Sequence, residues 1–157
     1  MTKQTVATDS AAANISATAS LLMTVTEWMR RSFEGVAASF DLTPVQARAL
    51  LGLESPVPMR SLADHLHCDA SNVTGIADRL EAGGLVTRQA SQGDRRVKLL
   101  ALTPEGAKTR ARLEAAILDA SPIKAGLSAE ERSTLQHLLT KIVTRTSGGS
   151  PHCAADA

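Results

Sequence analysis

Asp69-Ala70-Ser71-Asn72-Val73-Thr74-Gly75-Ile76-Ala77-Asp78-Arg79-Leu80-Glu81, followed by Gly83-Gly84, reads as one helix with two unlike faces. Val73, Ile76, Ala77 and Leu80 recur at i, i+3, i+4 and i+7, the stripe a helix turns toward a core. Ala70, Ser71, Asn72, Thr74, Gly75, Asp78 and Arg79 fall outside that stripe and are small or hydrogen-bonding. Asp69 is placed to cap the helix start. The two glycines supply a residue able to take the left-handed conformation after its last turn.

Working outward, Arg60 opens a short helix with Leu62, Ala63 and Leu66 inward, joined to the first through His67-Cys68. On the other side the period changes from helical to alternating. Leu85-Val86-Thr87-Arg88 is strand-like, Ser91-Gln92-Gly93-Asp94 has turn chemistry, and Val97 to Leu102 forms a second strand, which together make a β-hairpin. Two helices followed by a hairpin have the pattern of a helix-turn-helix with a wing. The major groove of duplex DNA admits one helix whose outer face carries such polar groups. Ser71, Asn72 and Thr74 suit base edges or phosphates, and Arg79 suits a phosphate or guanine. Gly75 inside a helix costs about 1 kcal/mol relative to alanine; its readings are close approach of the helix backbone to DNA, or tight packing or sequence drift.

Charge is concentrated in the hairpin. Between Ala82 and Pro104 four bases, Arg88, Arg95, Arg96 and Lys98, stand against one acid, Asp94, a local +3 in a chain whose total is +1. An arginine at a hairpin tip can enter the narrow, strongly negative minor groove, and a nearby Asp can hold its guanidinium.

Helices flank this lobe. Ile15, Leu21 or Leu22, Val25, Trp28, Met29, Phe33 and Val36 mark a long one, and Thr43-Pro44-Val45-Gln46 starts a second that runs to about Leu53 before Pro56-Val57-Pro58 breaks it. Thr103-Pro104 opens a helix to about Ala120, and Ser128-Ala129-Glu130-Glu131 caps a last one striped by Leu135, Leu138, Leu139, Ile142 and Val143. The expected organisation is a flexible segment 1–13, a domain 14–146 with a DNA-binding lobe 57–102 and dimerisation helices 14–42 and 103–146, and a flexible tail 147–157. Apolar stripes on the flanking helices call for a partner surface, so a homodimer reading two half-sites of a pseudo-palindrome is expected.

The chain has 157 residues, and 43% hydrophobic with 21% charged is the composition of a folding globular domain. Trp28, Phe33 and Phe40 are its only aromatics, which excludes a stacking platform for single-stranded nucleic acid. Two cysteines, Cys68 and Cys153, make no disulfide framework. There is no signal core and no apolar run of membrane-spanning length, so a cytoplasmic location and no membrane partner are expected.

Leu62-Ala63-Asp64-His65-Leu66, the helix Asp69 to Glu81 with Gly84-Leu85-Val86, Asp94-Arg95-Arg96 and Leu102-Thr103-Pro104-Glu105-Gly106 together resemble the MarR family of bacterial transcriptional regulators, over roughly residues 15–146. The resemblance implies a mainly α fold with a small β-hairpin wing, a winged helix-turn-helix in a triangular, helix-mediated homodimer. By the same matching Ser71, Asn72, Thr74 and Gly75 fall on groove-facing positions, and Asp94 and Arg96 on the wing Asp-x-Arg pair, with Arg96 the minor-groove residue. Gly75 departs from the larger polar or basic residue that many members carry there. The implied function is a repressor released from double-stranded DNA by a small aromatic or phenolic effector, with Trp28, Met29, Phe33 and Phe40 as candidate pocket residues.

Other chemistries are weaker. His65, His67 and Cys68 have spacing that argues against a metal site, and no cofactor is implied. Cys68, just before a helix N-cap, could sense oxidants, although the redox branch of the resembled family carries its reactive cysteine in the first helix. No catalytic triad or phosphate loop stands in recognisable context, so an enzyme is not expected. The remaining alternative is a winged-helix module used for protein contacts.

Overall fold

The computed structural model describes residues 3–91 and 97–146, which divide between two compact units, 1–120 and 121–157. In the first unit, α1 (Lys3–Ser39) leads to α2 (Pro44–Leu51), β1 (Val57–Pro58), α3 (Met59–Leu66), α4 (Ala70–Ala82), β2 (Val86–Ala90), β3 (Lys98–Leu102) and α5 (Pro104–Asp119); the second unit holds α6 (Pro122–Gly126) and α7 (Ala129–Thr146). Mostly helical with a small antiparallel sheet, it is a winged helix-turn-helix fold.

Local chemistry sets most of these boundaries. The Thr43 hydroxyl accepts from the Gln46 N–H at 3.3 Å while the Gln46 side chain accepts from the Thr43 N–H at 2.8 Å, a complete capping box at the start of α2. Ser128 and Glu131 repeat it before α7, at 3.3 and 2.8 Å; those hydrogen bonds hold the Glu131 carboxyl below its ordinary pKa. Pro44 and Pro104 occupy first-turn positions, where the missing N–H has no cost. After α4, Gly84 takes φ +70° and the Leu85 N–H reaches back to Leu80 O at 2.9 Å.

Three features of the first unit differ from the sequence expectation. α1 begins at Lys3, not near Ile15; no glycine or proline interrupts residues 3–34, and the alanines scattered through the segment are the strongest helix formers. Val57 and Pro58, read only as a helix breaker, form an edge strand on β3, Val57 opposite Leu100, which gives the sheet order β1-β3-β2. An edge position tolerates the proline. Asp69 stands at the N-cap of α4 with extended backbone, yet its side chain makes no capping bond; its carbonyl accepts from the N–H groups of Asn72 at 3.0 Å and Val73 at 3.3 Å.

Leu50, Leu53, Leu62, Val73, Ala77, Leu80, Val86, Leu100 and Leu113 are the heart of one core shared by α2 to α5 and the sheet. The inward stripe of α4 is therefore the one its periodicity dictates. α5 seats closely on the turn after α4: the Thr103 N–H and hydroxyl donate to Leu85 O at 3.0 Å and Gly84 O at 2.7 Å, and a Cβ on Gly106 would lie 1.8 Å from Leu85 O. Only glycine fits there. Further ties in this unit run from Ser32 Oγ to Ala120 O at 2.8 Å and from Arg110 Nε to Leu51 O at 3.1 Å.

Candidate nucleic-acid interface

α3 ends at His67, which takes the left-handed conformation (φ 51°, ψ 47°) and turns the chain into α4. Because the stripe of α4 is spent on the core, the opposite face is presented outward: Ser71, Asn72, Thr74, Gly75, Asp78 and Arg79 are all exposed, and Ala70 is the first residue of the helix. Ser71, Gly75 and Arg79 are spaced by four and align along one row. A Cβ added to Gly75 would meet nothing within 4 Å, so packing inside the fold does not account for this glycine. Beside it lies an open cavity of about 340 Å³ walled by Val45, Cys68 and Ile76 and edged by Ser71, Asn72 and Arg79.

The wing strands pair antiparallel from Val86 opposite Leu102 to Ala90 opposite Lys98. Lys98 is exposed, whereas Asp94, Arg95 and Arg96 lie outside the described residues. Arg88 plays a different part from the one its inclusion in the basic segment suggested. Its guanidinium reaches back across the Gly83-Gly84 turn to the carboxylates of Asp78 and Glu81, and its N–H donates to Glu81 at 3.1 Å. The hydrogen bond to Asp78 raises its already high pKa. The charge of Arg88 is thus engaged in fastening β2 to α4, and Asp78, counted among the outer-face positions, is held by it. A sequence signal for this clamp existed, since Asp78 and Glu81 are one helical turn apart and Arg88 is the first base of the following strand.

The remaining singled-out residues are dispersed. Trp28 and Met29 are exposed on α1 at 56% and 44%, while Phe33 packs against the core. Cys68 is half-buried against that core, and the His65 ring lies over Gly52. A further cavity of about 410 Å³ takes in Phe40, one of the candidate pocket residues, without Trp28, Met29 or Phe33. It lies between the end of α1, α2, α4 and α5, with Phe40, Asp41, Gln46, Arg79 and Arg112 in its lining, and the Arg112 guanidinium stands 5.5 Å from the centre of the Phe40 ring. No helix among the described residues is long and apolar enough to cross a membrane.

A helix-turn-helix whose second helix turns a polar face outward, followed by a hairpin on a three-stranded sheet, defines a winged helix-turn-helix protein. Comparison narrows the class. A model described as the MarR family matches residues 42–98, and MarR from E. coli in its apo form superposes with a TM-score of 0.67 at 26% identity, over 79% of this chain and 95% of that one. An organic hydroperoxide resistance transcriptional regulator of Bacillus subtilis is 27% identical over 126 residues, 79% of this chain and 83% of the relative. The chain belongs to the MarR family, and is a transcriptional regulator of that kind. It also shares its fold with a variant of MepR from S. aureus bound to an oligodeoxyribonucleotide, at a TM-score of 0.57 and 21% identity over 81% of this chain and 96% of that one. A regulatory protein assigned to the hcr operon of Thauera aromatica is 35% identical over 88 residues, and the match spans only about half of that relative, 53%.

Proposed function

We propose that the protein acts in the cytoplasm as a homodimeric repressor of a pseudo-palindromic operator in double-stranded DNA, with α4 in the major groove and the wing tip in the minor groove. The observation that carries this reading is the outer face of α4, where Ser71, Asn72, Thr74 and Arg79 stand exposed with their helix anchored from behind by Val73, Ala77 and Leu80. Such a face offers donors and acceptors to base edges on a rigid support. Dimerisation is supported by large apolar side chains left exposed on α1 (Ile15, Leu21, Met23, Trp28) and on α7 (Leu138, Ile142, Val143). In this reading Arg96 reaches the minor groove, Asp94 steadies it, and Arg95 and Lys98 approach phosphates.

Release by a small aromatic or phenolic effector is part of the proposal. Trp28, Met29 and Phe33 on α1 are one seat, and the cavity at Phe40 and Arg112 is another. Because Arg79 lines that cavity and also belongs to the outer face of α4, an effector held there would draw on a group the DNA uses.

The test is a titration of duplexes selected from a randomised library at several salt concentrations. Arg96→Ala is expected to weaken binding to all sequences and flatten the log-log salt slope by about two for the dimer, while Asn72→Ala changes preference at one position per half-site. Unchanged affinity after Arg96→Ala removes the wing from the interface, and binding insensitive to salt favours a protein-contact module instead.

A further inference from the structure

We infer that Gly75 is a notch in the outer face of α4 that receives the 5-methyl group of one thymine per half-site; this deepens the DNA-binding reading and rests on it. A glycine in mid-helix weakens the helix, and the surrounding fold gives no reason for it, since the position where its Cβ would stand is open to at least 4 Å. What the missing side chain leaves is a recess on the exposed row between Ser71 and Arg79, continuous with the cavity walled by Val45, Cys68 and Ile76.

The chemistry of the recess selects its occupant. In the middle of α4 the backbone N–H groups are committed to the helix, so the notch offers no donor to a phosphate, which is bound at helix starts and by cations. Val45, Ile76 and the half-buried Cys68 give it an apolar side, and Ser71, Asn72 and Arg79 line the rest. The thymine methyl is the apolar group that a major groove displays, and it stands on the same base edge as the O4 acceptor. Ser71 and Asn72 on one side are placed to hydrogen-bond the neighbouring base edge and Arg79 on the other to hold a phosphate, while the methyl fills the gap between them.

The experiment uses the full chain and its own best duplex, selected from a randomised library, with each thymine replaced singly by deoxyuridine, which lacks only the methyl. For the parent protein one replacement per half-site is expected to weaken binding about fourfold, the burial of one methyl, and the others to change nothing. Gly75→Ala, whose own methyl occupies the notch, is expected to bind the thymine duplex at least tenfold more weakly and to recover most of that loss on the deoxyuridine duplex. A parent protein indifferent to every replacement, or a Gly75→Ala protein that binds the thymine duplex as the parent does, overturns the notch. Failure to enrich any duplex overturns the DNA-binding reading itself, so the two failures are distinct.

Discussion

Replacing Gly106 by alanine adds one methyl group at a place where the chain has closed on itself. The new Cβ would stand 1.8 Å from Leu85 O and 2.8 Å from Leu85 C, both backbone atoms that no rotamer change can move. Relief requires the start of α5 to retreat by more than 1 Å. That displacement carries the Thr103 N–H and hydroxyl, now 3.0 Å from Leu85 O and 2.7 Å from Gly84 O, out of hydrogen-bond range. Two lost bonds at about 1–3 kcal/mol each, offset by about 1 kcal/mol from alanine's better helix propensity, leave a net loss of roughly 1–5 kcal/mol. For a chain of this size that corresponds to a melting temperature lower by roughly 2–20 °C. Urea and thermal unfolding followed by circular dichroism at fixed protein concentration read it directly. Gly75→Ala is the matched control, because the same substitution in the same kind of element meets open space and is expected to stabilise by up to about 1 kcal/mol. A Gly106→Ala protein that melts at or above the parent's temperature refutes the close seating of α5 on Leu85.

Three other substitutions probe the same framework. Arg88→Met frees Asp78 and Glu81 from their shared cation; because both carboxylates are substantially exposed, the expected loss is only about 1 kcal/mol in urea unfolding, and it should shrink when Asp78→Asn is already present. Thr43→Ala removes the cap of α2 and is expected to lower stability by about 1 kcal/mol, measured the same way. Glu27 on α1 accepts hydrogen bonds from Arg30 and Arg31, which lower its pKa from 4.5 to about 2. Its folded pKa lies below its unfolded one, so its contribution to stability is fully present above about pH 4.5 and is lost as the pH falls toward 2. NMR titration of the Glu27 carboxyl should show this depressed value in the parent protein and its return upward in an Arg30→Gln, Arg31→Gln variant.

Those parts of the fold that follow from chemistry within a few residues were legible in the sequence. Thr43 with Gln46 and Ser128 with Glu131 are reciprocal donors and acceptors three residues apart, and both boxes form. The stripe of α4 was legible because one helix can bury only one face, and the polar outer face followed by subtraction. Long-range pairing was not: Val57 and Pro58 become strand only because β3 supplies a partner some forty residues later. Alanine-rich residues before Ile15 carry no apolar stripe, and propensity with an absence of breakers makes them helical. Gly106 could be seen in its motif, but its reason, the approach of Leu85 O, belongs to the folded chain.

Arg88 shows why a count of charges along a segment misstates an electrostatic surface. Four bases against one acid suggested a +3 wing, yet one of the four lies under the wing with both ionic partners on α4. The cations left to neutralise DNA in the proposed complex are Arg95 and Lys98 at phosphates, Arg96 in the minor groove and Arg79 of α4, and Arg79 has no ion-pair partner among the described residues. Four per protomer, doubled in a dimer, bound the log-log salt slope of binding at about −7, and counting Arg88 would bring it to about −9. Arg79→Met should therefore flatten the slope by about two for the dimer, one phosphate in each half-site, while Arg88→Met lowers stability and leaves the slope where it was. Equal flattening by both substitutions would place Arg88 at the DNA instead of beneath it.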